Sequence, residues 1–162
     1  MYSTDLDGEV KEIIAEMEAI PFSKPGAARG PDPIRLGEHE RRLKYLIRHA
    51  GTDLNPARAA QALLLVAERC RWREMRSLDM FDKAFDLARR SHLKKEEAIA
   101  LFGRGIAREA GGQDDAAVAI YDDALALARD LSPSEKADFR TRAGDLAKTL
   151  GDSALERRVM EL

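Results

Sequence analysis

Two short helix-like segments joined by a glycine turn recur along this chain at intervals of roughly 40 residues, within the period range of helical solenoids. In the clearest copy, residues 99–127, Ile99, Phe102, Gly103 and Ile106 fall at helical spacing before the turn Ala110-Gly111-Gly112, and Ala117, Ile120, Tyr121, Ala124 and Leu125 do so after it. One copy earlier, Ala67-Glu68-Arg69 stands under Ala107-Arg108-Glu109, Met80-Phe81-Asp82 under Ile120-Tyr121-Asp122, and the run from Ala84 to Arg89 under that from Ala124 to Arg129. One copy later, Ala143-Gly144 stands under Phe102-Gly103, and Gly151 marks the next turn. A chain built this way is a stacked array of helical hairpins, because a single amphipathic pair cannot cover its own apolar face and must lay it on a neighbour. Gly103 is expected to face Ala117 and Ala124, where small residues let two backbones approach.

The punctuation predicts eight helices in four hairpins. The first runs from about Asp5 to Ala19 with the stripe Leu6, Val10, Ile13, Ile14, Met17 and Ile20; a Pro/Gly-rich loop follows over residues 21–33. Asp32-Pro33 and Asn55-Pro56 are helix starts of the cap-then-proline kind, and the helix from Pro56 to about Cys70 is almost wholly Ala and Leu. The fourth spans about Arg73 to Arg90, and Ser91 is expected to open the fifth. Ser132-Pro133-Ser134-Glu135 is a capping box, and Gly151-Asp152 is a stop followed by a new cap. The last residues, Leu155, Val159, Met160 and Leu162, are apolar, so the eighth helix either folds down on the seventh or docks another molecule.

The 162 residues are one domain's worth, with few aromatics (6%) and many charges (35%), the profile of helices that pack through Ala and Leu. No apolar run approaches the roughly 20 residues of a membrane span. The opening Met1-Tyr2-Ser3-Thr4-Asp5 lacks the basic character of a secretory signal, and the one cysteine, Cys70, fits a reducing compartment; a cytoplasmic protein is the expectation. The net charge of −2 conceals a gradient: residues 35–76 carry ten bases against five acids, and residues 109–162 seven bases against twelve acids. In an elongated array that difference becomes a basic front and an acidic far end.

At Ile99, Phe102-Gly103, Ile106, a glycine turn, Ala117, Tyr121 and Ala124 the chain resembles the tetratricopeptide repeat: large, large-plus-small, large, turn, alanine, aromatic, alanine. The resemblance covers residues 94–131 most closely, then 56–90 and 134–162, and leaves 1–50 as a divergent first hairpin. It departs from the family where Ile99 or Ala59 replaces the leading tryptophan, where Leu63 holds the small position, and in its longer spacing, which is similar to that of bacterial signalling regulators and adaptors. The resemblance implies an all-α, right-handed superhelix, a TPR-like α-solenoid of residues 1–162. Its concave groove would be lined by the first helix of each hairpin: Ala60, Leu64 and Glu68, then Glu97, Ala100, Arg104 and Arg108, then Asp138, Thr141, Asp145 and Lys148. Arg104 and Arg108, one turn apart, suit an acidic peptide group, or are solvated charges on a helix face. The lysine and asparagine set with which some family members clamp a peptide's C-terminal carboxylate is missing from these positions.

Chemistry finds little foothold. His39, His49 and His92 make no metal-type spacing with Cys70 or one another, and neither Gly103-Arg104-Gly105 nor Gly111-Gly112 follows a strand as a phosphate loop would. No catalytic residue, metal or cofactor is expected. Phosphotransfer through His49 or His92 is a remote alternative, since both stand near helix ends. Arg71, Trp72 and Arg73 form a possible second patch in which Trp72 either packs as a staple or serves as a hot spot for protein or single-stranded nucleic acid; the acidic far end opposes nucleic acid. The function expected is a non-enzymatic scaffold or adaptor that binds a protein or peptide, in a bacterial regulatory or assembly complex as the resemblance implies. Its alternative is a self-associating module, a homo-oligomer held by head-to-tail or C-terminal-helix contacts.

Overall fold

A computed structural model describes residues 6–19, 33–49, 55–69 and 75–162, and the described residues form eight α-helices and no strand. They are α1 (Leu6–Ala19), α2 (Pro33–His49), α3 (Pro56–Arg69), α4 (Met75–Arg90), α5 (Lys94–Ala110), α6 (Asp114–Arg129), α7 (Pro133–Leu150) and α8 (Ser153–Met160). The proline-rich stretch between α1 and α2 and the turn holding Arg71, Trp72 and Arg73 lie outside the described residues.

Most helix ends follow from local chemistry. Asn55 Oδ1 accepts the Ala57 N–H at 3.0 Å. Ser132 Oγ accepts the Glu135 N–H at 3.3 Å, the N-cap half of the box that the sequence predicts, and its hydroxyl donates to Glu135 Oε1 at 2.9 Å. Gly151 ends α7 in the left-handed conformation (φ 83°), which a side chain would strain, and Asp152 Oδ1 then caps α8 through the Leu155 N–H at 3.0 Å. The α4–α5 junction corrects the expectation for Ser91. Ser91 does not cap α5; it belongs to the turn that ends α4, where His92 takes a positive φ of 56° and the Leu93 N–H returns to Ala88 O at 2.9 Å. The turn needs a left-handed residue, and it uses histidine where glycine is usual.

One hydrophobic cluster runs from Val10 and Met17 of α1 through Phe81, Phe102 and Phe139 to Leu155 and Val159 of α8. Its centre is a row of rings: Phe102 lies 5.1 Å from Tyr121 and 5.9 Å, edge-on, from Phe139, joining α5, α6 and α7. The two glycines of α5 admit rings from opposite sides. A Cβ at Gly103 would fall inside the contact envelope of the Phe81 ring, and one at Gly105 would sit 2.5 Å from the Tyr121 ring. This corrects the expected partner of Gly103: its neighbour is Phe81 of the preceding helix, while Gly105 makes the approach to α6. Residues two apart on a helix point about 200° apart, so α5 takes one aromatic on each flank.

The packing sorts the helices into two sets. Among the odd-numbered helices, α3 packs on both α1 and α5, and α5 on α7. The even-numbered ones pack on their odd-numbered neighbours, α4 between α3 and α5 and α6 chiefly on α5. Ion pairs run within each set, Glu68–Arg142 and Lys95–Asp138 between odd helices and Lys44–Asp79 (3.2 Å) and Asp122–Arg158 (2.7 Å) between even ones, and also across the division, as in Arg42–Glu9 (2.5 Å) and Arg104–Asp82 (2.6 Å). At the far end Leu155 and Val159 are buried and Leu162 is partly covered, so α8 does fold down on α7, leaving Met160 exposed.

Candidate functional site

A cavity of about 310 Å³ opens where the odd-numbered helices converge. Its wall takes Ile14 and Glu18 from α1, Gln61, Leu65, Glu68 and Arg69 from α3, Lys95 and Glu96 from α5, and Asp138 and Arg142 from α7; among the described residues no even-numbered helix contributes. Three turns of α3 supply the longest wall because Gln61, Leu65 and Glu68 recur at helical spacing beside the buried row Ala59, Ala62, Leu63 and Val66.

Charge fills the floor. Arg142 donates from Nε to Glu68 Oε2 at 3.1 Å, and from Nη2 to Glu68 Oε1 at close range, a two-pronged pair between α3 and α7. The Glu68 side chain is wholly buried and that of Arg142 nearly so. Burial alone would lower the Arg142 pKa, but the Glu68 carboxylate, with Asp138 and Glu96 behind it, raises it. Lys95 Nζ lies 3.0 Å from Asp138 Oδ2 and 3.6 Å from Glu96 Oε1. There too burial is opposed, first by the hydrogen bond to Asp138, and the ammonium is held above its ordinary range. Arg69 donates to Leu65 O at 3.1 Å; burial, more than the neighbouring Arg142 charge, lowers its pKa from the usual value. The result is a preformed polar lattice, Glu68–Arg142–Asp138–Lys95–Glu96, flanked by the apolar Ile14 and Leu65.

Of the positions the resemblance points to, Glu68 and Asp138 line this cavity. Leu64, like Ala60 and Ala100, is fully buried in the core, so it presents nothing to a partner. Glu97 is half-buried and stands one residue past the lining Glu96. Arg104 turns to α4, with Nε 2.6 Å from Asp82 Oδ1 and its guanidinium 5.4 Å from the centre of the Phe85 ring. Arg108 Nη1 donates to Gln113 Oε1 at 2.7 Å, beside a shallow depression at the α5–α6 turn. The two arginines are thus engaged apart from each other. Thr141 is exposed and returns its hydroxyl to Ala137 O at 3.1 Å, Asp145 is half-buried, and Lys148 lies exposed 3.6 Å from Glu156. Beside Glu68 and Asp138, the wall takes Leu65, Glu96 and Arg142, each next in sequence to a position that the resemblance gives, Leu64, Glu97 and Thr141. A shift of one residue is about 100° of helix, enough to exchange a core position for a lining one.

Compared with known proteins, the chain matches no family model, no curated protein and no solved structure. Its site must therefore be read from its own chemistry. Among the described residues no group of three His, Cys, Asp or Glu side chains gathers as a metal site requires, and no helix is long and apolar enough to cross a membrane. The cysteine at position 70 and the Arg71, Trp72 and Arg73 patch lie outside the described residues.

Proposed function

We propose that this chain is a non-enzymatic scaffold that binds a peptide segment of another protein in the groove between its odd-numbered helices. In this reading the four hairpins wind as a right-handed, tetratricopeptide-like superhelix with that groove on its concave side, and the protein works in the cytoplasm as part of a regulatory or assembly complex. The observation that supports it is the cavity whose wall, among the described residues, comes from α1, α3, α5 and α7. A surface assembled from one helix of each pair suits an extended ligand, which meets successive repeats in order. Polar groups already paired with one another suit recognition of a backbone or of polar side chains, since they are held in place before the ligand arrives.

The test is site-specific photo-crosslinking in cells of the source organism. A crosslinker at Gln61, in the groove, is expected to trap a protein that one at the exposed Arg89, on α4, does not. Trapping at Arg89 with none at Gln61 would refute the groove as the binding face.

A further inference from the structure

Two outward faces of this protein are complementary in charge, and they cannot meet within one molecule. On α2, the residues opposite the buried His39, Glu40 and Leu43 form a stripe at alternating spacings of four and three: Ile34, Glu38, Arg41, Tyr45 and Arg48, all exposed. On α6, the side opposite the buried Ala117, Tyr121, Ala124 and Ala128 shows Asp115, Ala119, Asp122, Ala126 and Arg129 at the same alternation, with Asp123 and Asp130 alongside. The first face is basic, Arg41 and Arg48 against Glu38. The second is acidic even with Asp122 engaged by Arg158 and with Arg129 present. Because α2 packs on α1 and α3 while α6 packs on α5 and α7, the two faces stay apart within the chain.

We infer that these faces are the two halves of a head-to-tail contact between copies of this chain, the basic stripe of α2 in one copy lying along the acidic ridge of α6 in the next. Apolar surface follows the same division. Ile34 (73% exposed), Tyr45 (56%) and Val118 (54%), three of the four large apolar side chains exposed among the described residues, stand on these two helices. Ala119 and Ala126 lower the ridge between its aspartates, leaving room for side chains as large as tyrosine. The two halves differ, so each added copy leaves one basic and one acidic face unused, and the assembly grows as an open series instead of closing as a symmetric dimer. Charge sets the register and the encounter rate, while the three apolar side chains supply burial.

Analytical ultracentrifugation of the full chain tests this. At about 0.01 M salt, where screening acts only beyond roughly 30 Å, the weight-average mass is expected to rise with concentration above the 18.0 kDa of one chain, and at about 1 M salt to fall back to it. Arg41→Glu with Arg48→Glu makes both faces acidic; Asp115→Lys with Asp123→Lys turns the acidic ridge basic. Each double variant alone is expected to stay at the monomer mass, and an equimolar mixture of the two to associate again, because every reversed face then finds its complement. All four positions are exposed, and circular dichroism checks that helicity is kept. A wild-type chain that stays monomeric at low salt, single-face variants that associate as the wild type does, or a mixture that stays monomeric would each overturn the contact. None of these readouts involves the groove, so this inference and the peptide-binding proposal fail separately.

Discussion

Glu68 and Arg142, 74 positions apart in the chain, hold each other with two hydrogen bonds beneath the groove and join α3 directly to α7. The pair bridges two helices that are separated in order by three others, and it does so with a carboxylate that has no exposed surface. Removing one partner strands a buried charge, whereas removing both does not.

Arg142→Met is accordingly expected to destabilise the chain by about 3–5 kcal/mol in urea unfolding, and the double change Glu68→Leu with Arg142→Met to recover most of that loss. A double-mutant cycle with coupling below about 1 kcal/mol would show that the pair does not join the two helices energetically.

Glycine substitutions separate tight packing from helix propensity. Gly103→Ala puts a methyl group into the Phe81 ring and is expected to cost about 1–3 kcal/mol despite the better helix former. Gly144→Ala meets only Met160 Sδ, 3.8 Å away, and is expected to gain up to about 1 kcal/mol. Thermal unfolding of the two variants, moving in opposite directions, checks both.

At the α4–α5 turn, His92→Gly removes the strain of a left-handed histidine (φ 56°) whose side chain is exposed. A gain of about 0.5–1 kcal/mol is expected in chemical denaturation. No gain would mean that the imidazole makes a compensating contact in the turn.

Glu109 provides a pH readout. Burial, then the carboxylate of Asp152 and the charges of Asp152 and Asp114, raise its pKa, although the Tyr121 hydroxyl, donating to Oε2 at 2.6 Å, opposes the rise. A raised acid favours the folded state in its protonated form, so its contribution is complete below the ordinary glutamate range and is lost as pH climbs through the folded value. Glu109→Gln keeps an oxygen for Tyr121 and loses the titration. Stability curves are expected to show the variant ahead of the wild type at pH 7 by less than about 1 kcal/mol, because the group is half-exposed to screening solvent, with the gap closing as the pH falls towards about 4. A constant gap across that range would assign the effect to something other than ionisation.

The helices and most of their ends were legible in the chain because their causes are local. Ser132 caps α7 through its own neighbour Glu135, Gly151 stops it, and the spacing of Ile99, Phe102 and Ile106 decides which side of α5 is covered. The groove was legible only in outline. Glu68 was visible as a position on the first helix of a hairpin, but its partner was not, since nothing near Glu68 in sequence announces Arg142. The rotational phase was also out of reach: whether Leu64 or Leu65 lines the wall depends on how α3 sits against α1, α4 and α5 together.

What the sequence determined by itself, then, is the alternation of helix and turn and the charge gradient, which arise from interactions within a few turns of chain or from simple summation. Only the tertiary structure decided that Phe81 fills the space over Gly103, that Arg104 leaves Arg108 for Asp82, and that an acid from α3 meets a base from α7. Those choices depend on side-chain volume and burial competing across several helices at once, and a linear pattern carries no record of that competition.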